Sequence, residues 1–150
     1  MDKNLDRVLL EVKTSRSGEE TPEAMVQFLS SLVSLRKRVL NFFPIAVPVT
    51  LEVGVIDQLI HFYISTPATL QAFIESQLVS QYPKALIVKI RDPLPEILEE
   101  NSNLSLAQMR IASGYLYPIR TYRDFKEVDP MSSLIAVMSK AKKEDRIWIQ

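Results

Sequence analysis

A chain of 150 residues, 47% hydrophobic, with 18 basic residues against 18 acidic ones, is globular, with room for one domain or a small domain plus part of another. It needs no disulfide or metal to hold a core, because a chain of this size buries about 70% of its unfolded surface. Without cysteine it has no thiolate nucleophile and no Cys-based zinc or iron–sulfur site, and its one histidine, His61, excludes multi-His metal sites. The balanced charge argues against a general nucleic-acid binder.

The start, MDKNLDRVLLEVKTS, lacks the layout of a secretory signal. No run approaches the roughly 20 apolar residues that cross a bilayer. The expectation is a soluble, cytoplasmic chain. Residues 7–15 alternate, with Val8, Leu10 and Val12 on one face and Leu9, Glu11 and Lys13 on the other, which predicts a half-buried strand. A polar loop leads to TPEAMVQFLSSLVSLRKRVL, where Thr21 caps and Pro22 opens a helix. Met25, Phe28, Leu29, Leu32 and Val33 are its apolar stripe, and Arg36, Lys37 and Arg38 suit its negative C-terminal end.

Residues 50–66 read as a hairpin turning near Asp57-Gln58, without the Asn-Gly pair that usually secures such a turn. Leu51, Val53 and Val55 share a face with Ile60, Phe62 and Ile64. A second helix is predicted from Thr66 as cap and Pro67, with Leu70, Phe73, Ile74, Leu78 and Tyr82 inward, ended by Pro83. The strand over 84–92 is expected to turn Leu86, Val88 and Ile90 to the core. The order β-α-β-β-α-β predicts an α+β fold of the ferredoxin-like class over residues 1–92.

The acidic, proline-broken stretch 93–103 reads as a connector. Residues 104–150 read as a β-α-β extension: a strand in LSLAQMRIAS, a third helix opened by Asp129-Pro130 with Met131, Leu134, Ile135 and Met138 inward, and a final strand at Ile147-Trp148-Ile149. YPIRTYRDFKEVDPMSSLIAVMSKAKKEDRIWIQ echoes the first β-loop-α-β run, as half of a second ferredoxin-like unit would. The expectation is therefore that the last strand joins the sheet built earlier, or that the polypeptide continues beyond Gln150, or both.

Two segments resemble a known family. FYISTPATLQAFIESQLVSQYPKALI and YPIRTYRDFKEVDPMSSLIAVMSKAKKEDRIWIQ are similar to landmarks of an N-terminal module in conjugative type IV secretion proteins of small-genome bacteria. The resemblance implies a platform ahead of a HerA/FtsK-class motor ATPase. The motor's G-x-x-x-x-G-K-[ST] loop has no counterpart in a chain with 3 glycines, so no catalytic residue carries over.

No catalytic, cofactor or metal residues are expected. Phe42, Phe43, Ile45 and Val47 form an apolar, proline-broken loop that either plugs the sheet or meets a protein partner or the inner membrane surface. His61 and Tyr63 are expected beside Glu11, Lys13, Lys89 and Arg91 on a sheet face that stacks bases, is an ordinary half-solvated face, or is covered by residues 104–150. Glu11 and Glu52 on that face would repel phosphate, so direct nucleic-acid contact is not expected. Arg120 and Tyr122 lie in RTYRDF, residues 120–125, which either is a recognition loop or, the favoured reading, is a long loop that Tyr122 and Phe125 anchor over the core. Glu96, Glu99 and Glu100 read as a solvated turn in preference to a metal cluster. The expected function is a non-catalytic assembly module, meeting protein partners or its own copies through sheet edges. The alternative is a regulatory domain holding a small ligand between the two units, near Arg91, Arg120 and Tyr122. A degenerate enzyme is a third.

Overall fold

The computed structural model describes residues 6–14, 21–33, 37–39, 43–45, 49–100, 103–110, 124 and 131–150. Strand β1 (Arg7–Lys13) is followed by helix α1 (Pro22–Val33) and a small hairpin, β2 (Lys37–Val39) with β3 (Phe43–Ile45). Strands β4 (Thr50–Ile56) and β5 (Leu59–Pro67) lead through a single 3₁₀ turn, Ala68–Leu70, into α2 (Gln71–Gln81). Then come β6 (Leu86–Ile90), α3 (Leu94–Glu100), α4 (Ser132–Met138) and β7 (Ile147–Ile149).

The main sheet has the order β6-β1-β5-β4-β7, and every neighbouring pair is antiparallel. Without β7 and the β2–β3 hairpin, the chain runs β1-α1-β4-β5-α2-β6 over a sheet ordered β6-β1-β5-β4. That is the ferredoxin-like split βαβ arrangement, an α+β fold, as the element order predicts. β7 adds a fifth strand against β4, so Ile147-Trp148-Ile149 does join the sheet built earlier.

Residues paired across an antiparallel ladder share a face, so the register sorts the side chains. On the helix side, Val8, Leu10 and Ile64 bury against Phe28 of α1 and Ile74 and Leu78 of α2, with Leu70, Phe73 and Tyr82 packed around them. Further along the same face, Val55 meets Met138 of α4 and Ala141, flanked by Val53, Ile60, Leu134, Ile147 and Ile149. The alternation predicted for residues 50–66 holds, since Leu51 pairs with Ile64, Val53 with Phe62 and Val55 with Ile60.

The β4–β5 turn falls at Asp57-Gln58, and both residues have positive φ, 50° and 65°. Two left-handed residues twist the backbone to match the flanking strands, which is why this turn ordinarily recruits Asn-Gly. Here the strain is held by the C-terminal segment. Arg146 Nη2 donates to Asp57 Oδ1 at 3.2 Å, and Gln58 Nε2 lies 3.4 Å from the Ala141 carbonyl oxygen.

Several expectations are corrected. The helix predicted to reach Leu40 is described over Pro22–Val33 and has given way to strand by Lys37: Lys37 and Arg38, expected at its C-terminal end, lie in β2. Strand pairing with Phe43–Ile45 overrides a helix propensity that is only a weak prior. For the same reason the 42–47 loop is in part a strand, with Phe43 and Ile45 in β3, while Phe42 and Val47 lie outside the described residues. Thr66 is not a cap. It is the β5 residue paired with Val8, fully buried, and Pro67 with a 3₁₀ turn intervenes before α2.

In β6 the faces are reversed. Val88 pairs with Glu11 and Lys89 with Leu10, so Leu86, Val88 and Ile90 face away from the helices and Ile87 packs into the core. The connector holds a helix, α3, whose start is capped by Asp92 Oδ1 accepting from the Leu94 amide at 2.9 Å. Residues 104–110 form no strand, and Asp129-Pro130 lies outside the described residues.

A non-glycine residue in the left-handed region costs about 1–2 kcal/mol. Gln58→Gly is therefore expected to raise stability by about 1 kcal/mol, because the hydrogen bond it gives up is long. Urea denaturation of the two chains side by side checks this through the transition midpoint.

Candidate functional site: a stacked aromatic and carboxylate face

The sheet face away from the helices concentrates the chain's polar chemistry. The register places Leu9, Glu11 and Lys13 of β1 beside Ser65 and Tyr63 of β5, and these beside Thr50 and Glu52 of β4. His61 pairs with Gly54, and Gly54 pairs on its other side with Trp148 of β7. His61 and Tyr63 thus share a face with Glu11 and Lys13 as expected, but Lys89 sits on the helix side.

Gly54 is the pivot. A Cβ built on it would lie 2.7 Å from Cζ3 and 2.8 Å from Cε3 of Trp148, and 3.1 Å from Cε2 of Tyr63. Real side chains essentially never approach so closely, so the indole lies flat on the sheet only because residue 54 has no side chain. In that position Trp148 stacks on Tyr63, with ring centroids 4.9 Å apart and planes within 12°. Tyr63 runs parallel to His61 in turn, at 5.9 Å and 7°. Trp148 Nε1 donates to Glu52 Oε2 at 2.9 Å, which ties the final strand to a carboxylate on the strand it pairs with.

Both carboxylates are buried, Glu11 to 8% exposure and Glu52 to 6%, and their surroundings push them in opposite directions. Burial is the largest influence on Glu11 and pushes its carboxyl up. His61 Nδ1 at 2.7 Å and Lys13 Nζ at 3.1 Å, through hydrogen bonds and charge, outweigh it and hold Glu11 below its ordinary 4.5. A carboxylate can only accept, so His61 donates from a protonated Nδ1. For Glu52, burial dominates and holds the carboxyl above 4.5, although Trp148 and Gln150 hydrogen-bond to it. Tyr63, enclosed between them at 3% exposure, is pushed up to about 12 by burial and by the charges of Glu11 and Glu52. Its phenol stays neutral at any physiological pH. At the far end of the face, Arg7 reaches across β5, donating to Ser65 Oγ at 3.0 Å and to Thr50 Oγ1 at 3.3 Å.

This arrangement fastens a strand and encloses its own aromatic rings. Tyr63 stacks on Trp148, a residue of the 104–150 segment, in place of an external base, so it is not an open recognition residue. His61 donates to Glu11, with its side chain 23% exposed. Arg120 and Tyr122 lie outside the described residues, as do the side chains of Phe43 and Ile45. Arg91 pairs with Glu96 at 3.0 Å on the surface of α3, so that part of the acidic run is a solvated helix face. Among the described residues no group of His, Asp and Glu converges to hold a metal ion. The sequence reading missed the Gly54–Trp148 pairing and the Glu52 bond. The available signal was Gly54 itself, a glycine inside an alternating strand pattern, which marks a close approach.

Comparison with known proteins gives one result. The chain belongs to the family described as Domain of unknown function (DUF8128), which matches residues 2–150. No curated protein and no solved structure matches it. The Gly54–Trp148 socket and both carboxylates lie inside the span assigned to the DUF8128 family.

The two carboxylates give an opposed pH signature. Glu11 has a lowered pKa in the fold, so its contribution is complete above 4.5 and is lost as pH falls through the lowered value. Glu11→Gln is expected to destabilise the chain by about 1–2 kcal/mol at neutral pH, with the deficit fading in acid. Glu52 has a raised pKa, so its ionisation weakens the fold as pH rises from 4.5 through that value. Glu52→Gln keeps an acceptor for the indole and is expected to raise the melting temperature at neutral pH, with no gain below 4.5. Thermal melts across pH 3–8 read both. Gly54→Val is expected to expel the indole and destabilise by about 1–3 kcal/mol. Because Trp148 is the chain's only tryptophan, a red-shifted emission would report that directly.

Proposed function

We propose that the chain is a non-catalytic interaction and assembly module of a larger type IV secretion or DNA-transfer motor protein, working at the inner face of the cell membrane. The observation that carries this is the flank of α1. Met25, Leu29 and Val33 recur every fourth residue with Val26 beside them, and they are 38%, 38%, 61% and 37% exposed respectively. Only Phe28 of that helix is fully buried. An apolar stripe of this width normally faces a core or a partner.

Other surfaces support the same reading. Leu51 and Phe62, on the helix side of the sheet, remain 44% and 45% exposed, and Leu106 and Met109 extend into solvent at 84% and 82%. The polar face is organised around internal partners and offers its carboxylates to the chain itself. Among the described residues no helix is long and apolar enough to cross a membrane, so attachment there would run through protein contacts or surface docking. The secretion context comes from the resemblance of residues 62–87 and 117–150 to the N-terminal platform of conjugative motor proteins.

Leu29→Lys with Val33→Lys tests the proposal. The double variant is expected to keep the wild-type melting temperature within a few degrees, because both positions are exposed. It should lose association, with its own copies or with a HerA/FtsK-class ATPase, in sedimentation and co-purification. A wild-type chain that remains monomeric and captures no such ATPase would overturn the reading.

A further inference from the structure

The Gly54 socket is filled by the chain's own β7, and that occupant shows what chemistry fits it. It takes an extended segment with a tryptophan flanked by β-branched apolar residues. The indole lies in the notch above Gly54, its ring rests on Tyr63, and its N–H reaches the buried carboxylate of Glu52. The flanking Ile147 and Ile149 turn to the other face and pack beside Val53 and Val55. Every partner named here, Gly54, Tyr63, Glu52, Val53 and Val55, belongs to β4 or β5. A strand of the same sequence from another molecule would therefore make the same contacts.

The cis occupant is a short strand on an exposed link. β7 is 3 residues long, and each of them is only partly buried. It hangs from α4 by a link in which Lys142, Lys143, Glu144 and Asp145 are all exposed. The link is closed by local bonds, from the Lys142 amide to Asp145 Oδ2 at 2.8 Å and from Arg146 to the Lys143 carbonyl at 2.7 Å. Met138 and Ala141, which anchor the extension, lie before this link and stay with their own core. Opening the link would release β7 and leave α4 in place.

We propose that the socket docks β7 of a second copy, so that two chains assemble by exchanging their final strands. This rests on the assembly reading above and adds to the α1 surface a second contact, at the sheet edge, with a named occupant. Exchange at this edge gives up no strand contact, because every contact of β7 with β4 and β5 is regenerated in trans; the opposing costs are the opened link and the association itself. The opposite edge of the sheet, β6, carries an exposed Lys89 and has no comparable notch among the described residues.

The test shortens the link and then crosses two defects. Deleting Lys143 and Glu144 prevents β7 from reaching its own β4, and the full-length chain so altered is expected to sediment as a dimer. Adding Trp148→Ala to that chain should return it to a monomer. Independently, Gly54→Val has a blocked socket and a sound strand, whereas Trp148→Ala has a sound socket and a defective strand. Each alone is expected to be monomeric, and their mixture is expected to give a one-to-one heterodimer. Circular dichroism confirms that each chain is folded. If the shortened chain stays monomeric, or dimerises regardless of Trp148, or the folded mixture forms no heterodimer, exchange is overturned. Dimers that ignore the socket variants but vanish with Leu29→Lys and Val33→Lys would sink exchange and leave the assembly reading standing. Socket-dependent dimers that are indifferent to the α1 variants would do the reverse for the α1 surface.

Discussion

The pairing of β7 with β4 through Gly54 and Trp148 determines how this sheet ends. A strand alternates its side chains between faces, so one short strand can serve both. Here Ile147 and Ile149 extend the apolar cluster beneath α4, while Trp148 between them closes the polar face. The notch over Gly54 allows a bulky ring on that face to lie parallel to the sheet, where it stacks on Tyr63 and bonds Glu52 together. A side chain at position 54 would lift the ring and break both contacts at once.

This explains why buried carboxylates are tolerated on a face that apolar residues could have filled. Burying a charge is unfavourable unless it is paired and hydrogen-bonded, and a buried pair seldom stabilises more than a hydrophobic replacement would. What the carboxylates supply is register. If β7 slipped by one residue, Trp148 would be driven into the α4 cluster and Ile147 or Ile149 would lie against Glu52, leaving its carboxylate without the indole donor. The Glu11 cluster acts on the other side in the same way, joining Lys13 and His61 across β1 and β5. The polar face therefore acts as the alignment code of a sheet whose helix side, made of interchangeable aliphatic contacts, specifies position less sharply.

The ferredoxin-like order was legible because its signals are local. Alternation marked β1, β4 and β5, proline and threonine marked the start of α1, and the matched apolar sets of the hairpin placed its turn at Asp57-Gln58 even without a glycine. What failed depended on neighbours distant in sequence. In β6, alternation favours Leu86, Val88 and Ile90 as the inward set, yet pairing with β1 sends Ile87 inward and leaves Leu86 58% exposed. The end of α1 is not legible locally, because Lys37, Arg38 and Val39 fit a helix end and only their pairing with Phe43–Ile45 makes them a strand. The acidic run after Asp92 read as broken by its prolines, although prolines in the first turn of a helix remove no bond. His61, Tyr63, Glu11 and Glu52 could be placed on one face from the sequence. That Trp148 would stack there could not, because nothing local sets the register between residues 94 positions apart, Gly54 and Trp148.

The two ends of the sheet are treated differently, and the difference bears on function. Unpaired strand edges invite other strands, and chains blunt them with charge or cover them. At the β6 edge, Lys89 is exposed and Arg91 and Glu96 form an ion pair just beyond, a pattern that discourages pairing. At the β4 edge the chain uses cover instead of charge, and the cover is specific: an indole, a shaped notch and a buried acceptor. Generic protection of an edge needs none of these, since a lysine or a proline would serve. A lock of this specificity distinguishes the strand that fills it from other strands, which is what the proposed assembly role would use and what solubility alone does not call for.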